Sequence, residues 1–321
     1  MEHLRKFGPM AAALAALFLS APASAQNYPT RAVTIVVPFG AGSVTDAMAR
    51  VLAEKLSTTW KQSVVVENKP GLPGTAYVAK SDPDGYTLML TSNGHTIANV
   101  INKDVPFDSV KDFAGITVIA SVPFVAIVPT ESTAKNIQDF IALAKASPGK
   151  LNFSSAGVAS TTYLAAEILK QSAKIEIQHV PYKGVPDATT AVIRNDVQLY
   201  FAPIPNAQEL SKGNKVRMLA INSDKRSPQL PDLPTVVESG VPGYKYESWF
   251  GLMTRAGTPA SIRAKISKDV GDALKTPEVA DKLTKYGAIP TPTTPEKFDE
   301  IIKSDTARYA EVLKAAGIGA K

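Results

Sequence analysis

The segment best suited to chemistry is a glycine-rich loop, Pro38-Phe-Gly-Ala-Gly-Ser-Val-Thr-Asp46. It joins a β-branched run at residues 33–37 to an amphipathic segment that begins at Ser43. Glycines let the backbone turn sharply and expose its amides. A helix start adds unpaired N–H groups and a partial positive charge. The pattern therefore predicts an anion site at a helix start, formed by Phe39, Gly40, Ala41, Gly42 and Ser43.

Asp46 ends this loop and has two interpretations. It could contact the ligand, which would then carry an amine or reach the carboxylate through water. It could equally form a capping-box-like pair with Ser43 and an ion pair with Arg50 one turn later. The structural role is favoured, and Asp46 is retained as a candidate ligand-binding residue.

Nucleotide-binding loops share this composition but not this spacing. A P-loop needs Gly-Lys-Ser/Thr before the helix, where this chain has Gly42-Ser43-Val44. A dinucleotide fingerprint needs a third glycine where Thr45 stands. Both nucleotide interpretations fail, which leaves a carboxylate-type anion or a glycine turn without a ligand.

A second loop of the same kind follows later in the chain, Leu151-Asn-Phe-Ser-Ser-Ala-Gly-Val-Ala-Ser-Thr-Thr-Tyr163. Again a strand pattern runs through small polar residues into a helix pattern. We expect the two loops to face each other across a cleft and to offer amides and hydroxyls to one anionic group. The candidate residues here are Ser154, Ser155, Gly157, Ser160 and Thr161, with ordinary N-capping by Ser160 or Thr161 as the alternative.

Thr91-Ser-Asn-Gly-His95 follows another strand pattern, so Ser92 and Asn93 should lie at the carboxyl end of a strand, where open α/β sheets bind ligands. His95 could donate to a carboxylate, but an exposed loop position is favoured, and His179 is predicted to be structural. With no cysteine and no Gly-x-Ser-x-Gly, the sequence predicts no zinc site and no serine hydrolase. We expect no catalytic residue, no metal and no cofactor.

Strand and helix patterns alternate along the chain, which predicts α/β architecture with parallel pairing. One series covers strands at 33–37, 63–67 and 86–90 and a helix at 43–60, with turns at 68–71 and 72–75. A second series restarts near residue 124 and runs to strand 216–221. A strand at 249–253 and helices at 261–275 and 295–316 finish the chain. We therefore predict two lobes, residues 26–123 with 249–321 and residues 124–248, joined by two crossovers.

The amino-terminal residues 1–25 have the pattern of a secretory signal peptide. Arg5 and Lys6 precede a short apolar run, and Ala23-Ser-Ala25 supplies a small-residue cleavage signature, so we expect cleavage after Ala25 and a periplasmic protein. An uncleaved anchor is the alternative. The net charge is +6, but no basic run exceeds two residues, which argues against nucleic-acid binding.

Several spaced motifs resemble those of the receptors of tripartite tricarboxylate transporters, also called the Bug family. They cover essentially the whole mature chain in order: Pro38-Phe-Gly-Ala-Gly42, Val66-Glu-Asn-Lys-Pro-Gly71, Asp82-Pro-Asp-Gly-Tyr86, Ser155-Ala-Gly157, His179-Val-Pro-Tyr-Lys-Gly184 and Leu233-Pro-Thr235. The resemblance implies a type II periplasmic-binding-protein fold with a ligand cleft between two lobes. It also implies that the loop around Ala202 and Pro203 surrounds part of the ligand.

For function, the resemblance implies a receptor that delivers a small carboxylate, a di- or tricarboxylate, to integral-membrane transporter subunits and catalyses nothing. We also expect a monomer, and the ring of Tyr163 makes an aromatic dicarboxylate conceivable. A receptor that presents its ligand to a sensor protein is the alternative, and an exported enzyme is the least favoured one. The chain departs from the family's pattern at Gly42-Ser43, often two glycines, and at Tyr163-Leu164, often histidine-leucine. Ser43 adds a hydroxyl, and Tyr163 adds an aromatic ring that either faces the cleft or lies in the core.

Overall fold

A computed structural model describes residues 28–158, 160–246, 248–315 and 317. The strands of these residues are β1 (Val33–Val37), β2 (Val64–Asn68), β3 (Thr87–Ser92), β4 (Phe113–Ser121), β5 (Phe124–Pro129), β6 (Leu151–Ser155), β7 (Ile177–Pro181), β8 (Tyr200–Pro203), β9 (Val216–Ile221), β10 (Phe250–Arg255) and β11 (Ile289–Pro290). The predicted signal peptide and its cleavage after Ala25 lie outside the described residues.

The helices of the described residues are α1 (Val44–Trp60), α2 (Leu72–Ala79), α3 (Ala98–Ile101), α4 (Ile137–Ala146), α5 (Thr161–Ala173), α6 (Val185–Ile193), α7 (Ile204–Lys212), α8 (Ala260–Leu274), α9 (Pro277–Thr284) and α10 (Pro295–Ala315). A 3-10 helix, Asn93–Ile97, lies between β3 and α3. Within the described part of the chain, no helix is both long and apolar enough to cross a membrane.

One sheet combines strands from both ends of the chain, in the order β11-β4-β10-β3-β1-β2. β1 pairs in parallel with β2 and β3, whereas β10 runs antiparallel between β3 and β4. Since β10 comes after the whole second series of strands, the chain must leave this sheet and return to it. The predicted parallel pairing therefore holds for β1 with β2 and β3, but it is wrong for β10, which runs antiparallel to both of its neighbours because the chain returns to this sheet from the second series of strands.

The second group of strands lies between residues 124 and 221. β5 pairs antiparallel with β8 and β9, and β6 pairs in parallel with β7. A bridge between Phe153 and Leu199, with a bond from the Ser154 amide to the Leu199 carbonyl at 3.0 Å, connects the two pieces. These strands form the sheet of a second α/β lobe.

Two chain segments cross between the sheets, one at residues 122–123 and one before β10. The Ser248 hydroxyl, which is buried, holds them together. It accepts a hydrogen bond from the Val122 amide at 3.1 Å and donates one to the Val122 carbonyl. Both crossovers are therefore tied at one point by one side chain.

Local chemistry explains the helices next to the cleft. Ser43 is the N-cap residue of α1, and its hydroxyl accepts from the Asp46 amide at 3.2 Å. The apolar positions Met48, Leu52 and Leu56 of this helix are fully buried. α5 begins in the same way at Ser160, whose hydroxyl accepts from the Tyr163 amide at 3.2 Å. Each of these helices starts directly after a strand and a short loop.

The turn predicted at residues 72–75 is wrong, because Leu72 begins α2. Pro73 lies in the first turn of that helix, where its missing N–H would have no partner in any case, and Gly71 precedes it at a φ of 78°. A proline and a glycine in one short run favour a turn locally, but both are also compatible with a helix start. The prediction also did not include β4, β11, α3, α7 and α9.

Tyr163 lies in the core. It is 4% exposed, and its ring centroid is 6.5 Å from that of Phe153 and 4.6 Å from that of His179. Burial raises the pKa of its phenol, followed by the nearby charge of Glu167. The aromatic ring that departs from the family's pattern therefore stabilises the packing of α5 on its sheet.

Candidate functional site

The glycine loop between β1 and α1 is held in place by Asp46. The Asp46 carboxylate accepts from the Gly42 amide at 2.9 Å, from the Asn68 side-chain amide at 3.0 Å and from the Arg50 guanidinium at 3.1 Å. Asn68 also donates to the Phe39 carbonyl at 3.2 Å. The loop is thus tied at both ends to one buried carboxylate and one amide.

This arrangement differs in one bond from a capping box. In that motif the third helical residue would accept from the amide of the N-cap residue. Here the Ser43 amide donates to the Gly40 carbonyl at 3.2 Å, and Asp46 accepts from Gly42 instead. Gly42 adopts a φ of 79°, which suits glycine and lets the loop turn back onto Asp46.

Asp46 is 4% exposed, yet it stays ionised. Burial alone would raise the pKa of this carboxyl, but the bonds from Arg50, Gly42 and Asn68 outweigh it and lower the pKa below its ordinary value. Since its oxygens already accept these bonds, and Arg50 balances its charge, Asp46 positions the loop. This geometry supports the structural interpretation of Asp46.

Gly40, Ala41 and Gly42 are partly or fully exposed. A Cβ placed on Gly40 would meet no atom within 4 Å, so open space lies beside the backbone there. Ser43 is half-buried, and its hydroxyl caps α1. The loop therefore presents glycine backbone and the start of a 17-residue helix to an open space.

The second loop is built around Ser155 and His179. The buried Ser155 hydroxyl lies 2.7 Å from His179 Nε2, accepts from the Gly157 amide at 3.2 Å and donates to the Gly157 carbonyl at 3.1 Å. Burial, and secondarily the charge of Lys170, lowers the pKa of His179 to about 4. A neutral histidine thus fixes the serine that shapes this loop.

The remaining polar residues of the second loop bond within the lobe. Ser154 donates to the Ala188 carbonyl at 3.0 Å, which ties β6 to α6. The Ser160 hydroxyl lies 3.0 Å from that of Thr162, which accepts from the Ala156 amide at 2.9 Å. Both Ser154 and Ser160 are buried, and their hydroxyls support the loop from behind.

Asn93 and Thr161 contact each other across the two lobes. The Thr161 hydroxyl donates to Asn93 Oδ1 at 3.1 Å, and the Tyr246 hydroxyl donates to the Thr161 carbonyl at 2.9 Å. All three residues are buried, as is Ser92 beside Asn93. Two residues predicted to touch a ligand therefore also join the lobes next to a crossover.

A cavity of about 380 Å³ lies beside the start of the glycine loop. Pro38 and Phe39 line it from the glycine loop, and Val158 lines it from the second loop. Thr91 of β3 and residues that follow β2 and β3 complete the lining: Gly71, Leu72, Thr75, Gly94, His95, Ala98, Ile101 and Asn102. Phe39 is the one predicted site residue in that lining.

Ala202 and Pro203 are buried in β8, where they pair with Val125 and Phe124. Neither lies in the lining of the cavity. Sequence reasoning did not select Leu72, Thr75, Ile101 or Val158. The only features of the sequence that could have indicated these lining residues were the proline–glycine run at 72–75 and the segment that ends at His95.

His95 is buried and uncharged. Its Nε2 lies 2.8 Å from the Ser109 carbonyl, and its ring meets Phe113 edge-on with centroids 4.7 Å apart. Burial lowers the pKa of His95 to about 4, although the bond to Ser109 opposes this shift. The exposed loop position expected for His95 is therefore wrong.

Among the described residues, no group of three or more histidine, aspartate, glutamate or cysteine side chains is placed to hold a metal ion. The geometry that the site does offer is a glycine loop held by Asp46, a second loop that also leads into a capped helix, and a cavity lined by Phe39 of the first loop and Val158 of the second. The fold is that of the two-lobed periplasmic binding proteins.

Within that class, the chain belongs to the family described as tripartite tricarboxylate transporter family receptors, whose profile matches residues 48–318. It is 31% identical to Protein BugT of Bordetella pertussis over 304 residues, which cover 93% of each chain. The family resemblance noted in the sequence is confirmed.

Solved structures agree with this assignment. The R. palustris protein Rpa4515, determined with adipate, is 34% identical with a TM-score of 0.83, over 91% of this chain and 99% of that one. MatC from Rhodopseudomonas palustris, with bound malate, is 29% identical with a TM-score of 0.81, over 89% and 100%. The two-lobed fold predicted from the sequence is thereby confirmed.

Proposed function

We propose that this protein is a periplasmic receptor that binds a small carboxylate between its lobes and delivers it to the membrane subunits of a tripartite tricarboxylate transporter. In this proposal the chain acts as a monomer, binds no nucleic acid and returns its ligand chemically unchanged. The observation that carries the proposal is the glycine loop, which Asp46 holds open at the start of α1.

Electrostatics support an anion at this position. The first amides of a helix have no acceptor within the helix, and the helix dipole adds a partial positive charge at the same end. The buried carboxylate of Asp46 is compensated by Arg50, with 3.0 Å between Arg50 Nη2 and Asp46 Oδ1. An incoming carboxylate therefore meets the positive end of the α1 dipole rather than an unbalanced negative charge.

The second lobe supports the same ligand chemistry. Its loop also ends at a capped helix start, that of α5, and its Val158 lines the same cavity as Phe39. Hydrogen bonds to a charged group contribute roughly 1.5–3 kcal/mol each. Four or five of them, after ordering and desolvation costs, correspond to about −8 kcal/mol and a micromolar dissociation constant.

The relatives also support a carboxylate ligand. Two structures similar to this chain contain adipate and malate, both of which are small carboxylates. The family description names a transporter receptor, which supports periplasmic delivery to membrane subunits over presentation to a sensor protein. It also supports binding without catalysis.

A thermal-shift screen of the purified protein against small carboxylates tests the proposal. A ligand at a hundred times its dissociation constant should add about 2.7 kcal/mol to stability, which is a rise of several degrees in Tm. Unfolding, washing and refolding beforehand removes a ligand retained from expression. A refolded protein that no carboxylate stabilises would contradict the proposal.

Gly40→Val locates the site. The space beside Gly40 is empty, so the larger side chain should fill the anion position without disturbing the fold. We expect an unchanged Tm without ligand and the loss of the ligand-induced rise. A variant that still responds like the wild type would place the carboxylate elsewhere.

A further inference from the structure

The cavity beside the glycine loop is lined mainly by apolar side chains. Phe39 lies at the end next to the loop, whereas Leu72, Ala98 and Ile101 come from α2 and α3. Apolar surface of this kind gains free energy when it is removed from water. The body of a ligand that reaches beyond the glycine loop would therefore contact hydrocarbon.

Val158 adds an apolar contact from the other lobe. It is 53% exposed, which is unusual for a valine that lines a cavity, and it is one of few large apolar side chains left open in the described chain. A bound ligand with an apolar body would cover it. Phe39 and Val158 would then enclose the ligand from the two lobes.

The polar groups of the lining are uncharged. Thr75, Thr91 and Asn102 are neutral, and His95 is the only titratable residue among the described residues that line the cavity. The Ser109 carbonyl can only accept a hydrogen bond, so the proton of the neutral His95 ring lies on Nε2. His95 therefore brings no positive charge to the cavity at neutral pH.

A second carboxylate would meet an unfavourable environment at this end. Moving a carboxylate from water into an apolar cavity is costly unless a cation or several donors compensate it. Arginine and lysine, which would supply that compensation, are absent from the described lining residues. An uncharged aromatic or aliphatic group incurs no such cost.

We propose that the ligand is a monocarboxylate with an aromatic or aliphatic body, whose carboxylate lies at the glycine loop and whose uncharged body fills the cavity. This inference rests on the proposed function and narrows it. It also departs from the di- or tricarboxylate that the family resemblance implies.

Matched acids test the charge of the far end. Isothermal titration of the refolded protein compares two pairs of ligands, hexanoate with adipate and benzoate with terephthalate. The two acids of each pair have the same kind of hydrocarbon body and differ by one carboxylate. We expect at least one pair in which the monoacid binds, and binds at least tenfold more tightly than its diacid. Equal or tighter binding of the diacids would overturn the inference and leave the proposed function intact. If none of the four acids binds, this inference is overturned, and the wider carboxylate screen decides the proposed function separately.

Ile101→Lys provides a gain-of-function test. Ile101 is half-buried at the α3 side of the cavity, so a lysine there can place its ammonium near the far end of the ligand. We expect the ratio of diacid to monoacid affinity to rise at least tenfold, while Ile101→Met keeps the wild-type ratio. A lysine variant that folds, as judged by its Tm, and keeps the wild-type ratio would show that the ligand does not extend into this cavity.

Discussion

Removal of the Asp46 carboxylate tests whether its hydrogen bonds hold the glycine loop in place. Asp46→Ala deletes the bonds from Gly42, Asn68 and Arg50 at once. Bonds to a charged group contribute roughly 1.5–3 kcal/mol each, but Gly42 and Arg50 are exposed and regain water. We therefore expect a loss of about 2–4 kcal/mol, rather than the sum of three bonds.

The assay is thermal unfolding of the ligand-free protein. A change of about 1 kcal/mol moves the Tm of a chain of this size by roughly 2–4 °C, so Asp46→Ala should lower it by roughly 4–16 °C. Asp272→Asn is a matched control, because Asp272 also pairs with a base four residues away but is largely exposed. Exposed pairs contribute about 0–1 kcal/mol. If the Tm of the Asp46 variant falls no more than that of this control, the Asp46 carboxylate does not hold the loop.

The pH dependence of this difference has a definite sign. The pKa of Asp46 is lowered in the folded protein, so the unfolded chain binds its proton first as the pH falls. The stability that the carboxylate contributes is complete above its ordinary pKa of 3.8 and disappears as the pH falls below it. The Tm difference between wild type and Asp46→Asn should therefore be constant at neutral pH and shrink only in acid.

Three further substitutions test other parts of the structure. His95, with a pKa lowered to about 4, should reduce stability by about 3 kcal/mol as the pH falls from 6.5 to 4. In urea titrations His95→Asn should remove this part of the slope and leave the part of the same sign that His179 contributes, since the pKa of His179 is also lowered to about 4. Gly74→Ala should destabilise the protein by at least about 2 kcal/mol, because the added Cβ would overlap the Lys69 carbonyl. Its control is Gly271→Ala, where the added Cβ meets nothing within 4 Å and the substitution should stabilise α8 by about 0.5–1 kcal/mol. Equal Tm shifts of the two variants would contradict this expectation. Ser248→Ala should cost about 1–3 kcal/mol by releasing the two crossovers, and an unchanged Tm would show that the hydroxyl does not hold them.

The features that the sequence predicted well are local ones. Ser43, Asp46 and Arg50 lie three and four residues apart at a helix start, so cap and ion pair follow from helical geometry alone. The alternation of strand and helix patterns, and its restart near residue 124, indicated two sheets with a late return of the chain. The family could be assigned for a similar reason, because its motifs are short and contiguous.

Other features were decided only by tertiary structure. Asn68 reaches Asp46 across 22 residues, and Thr161 reaches Asn93 across 68, so no local pattern indicates either contact. The burial of Ser154, Ala202 and Pro203 depends on the strands and helices packed against them, which a polar or small residue type does not reveal.

The lining of the cavity also could not be predicted from local sequence patterns. Its lining joins Phe39, Leu72, Ile101 and Val158, which are far apart in the chain and have no shared motif. Packing also decides that His95 is buried and neutral rather than exposed. The sequence alone thus determined the glycine loop and the helix start that follows it, through local backbone geometry. The size and polarity of the cavity beside that loop depend on long-range contacts, and only the folded structure determines them.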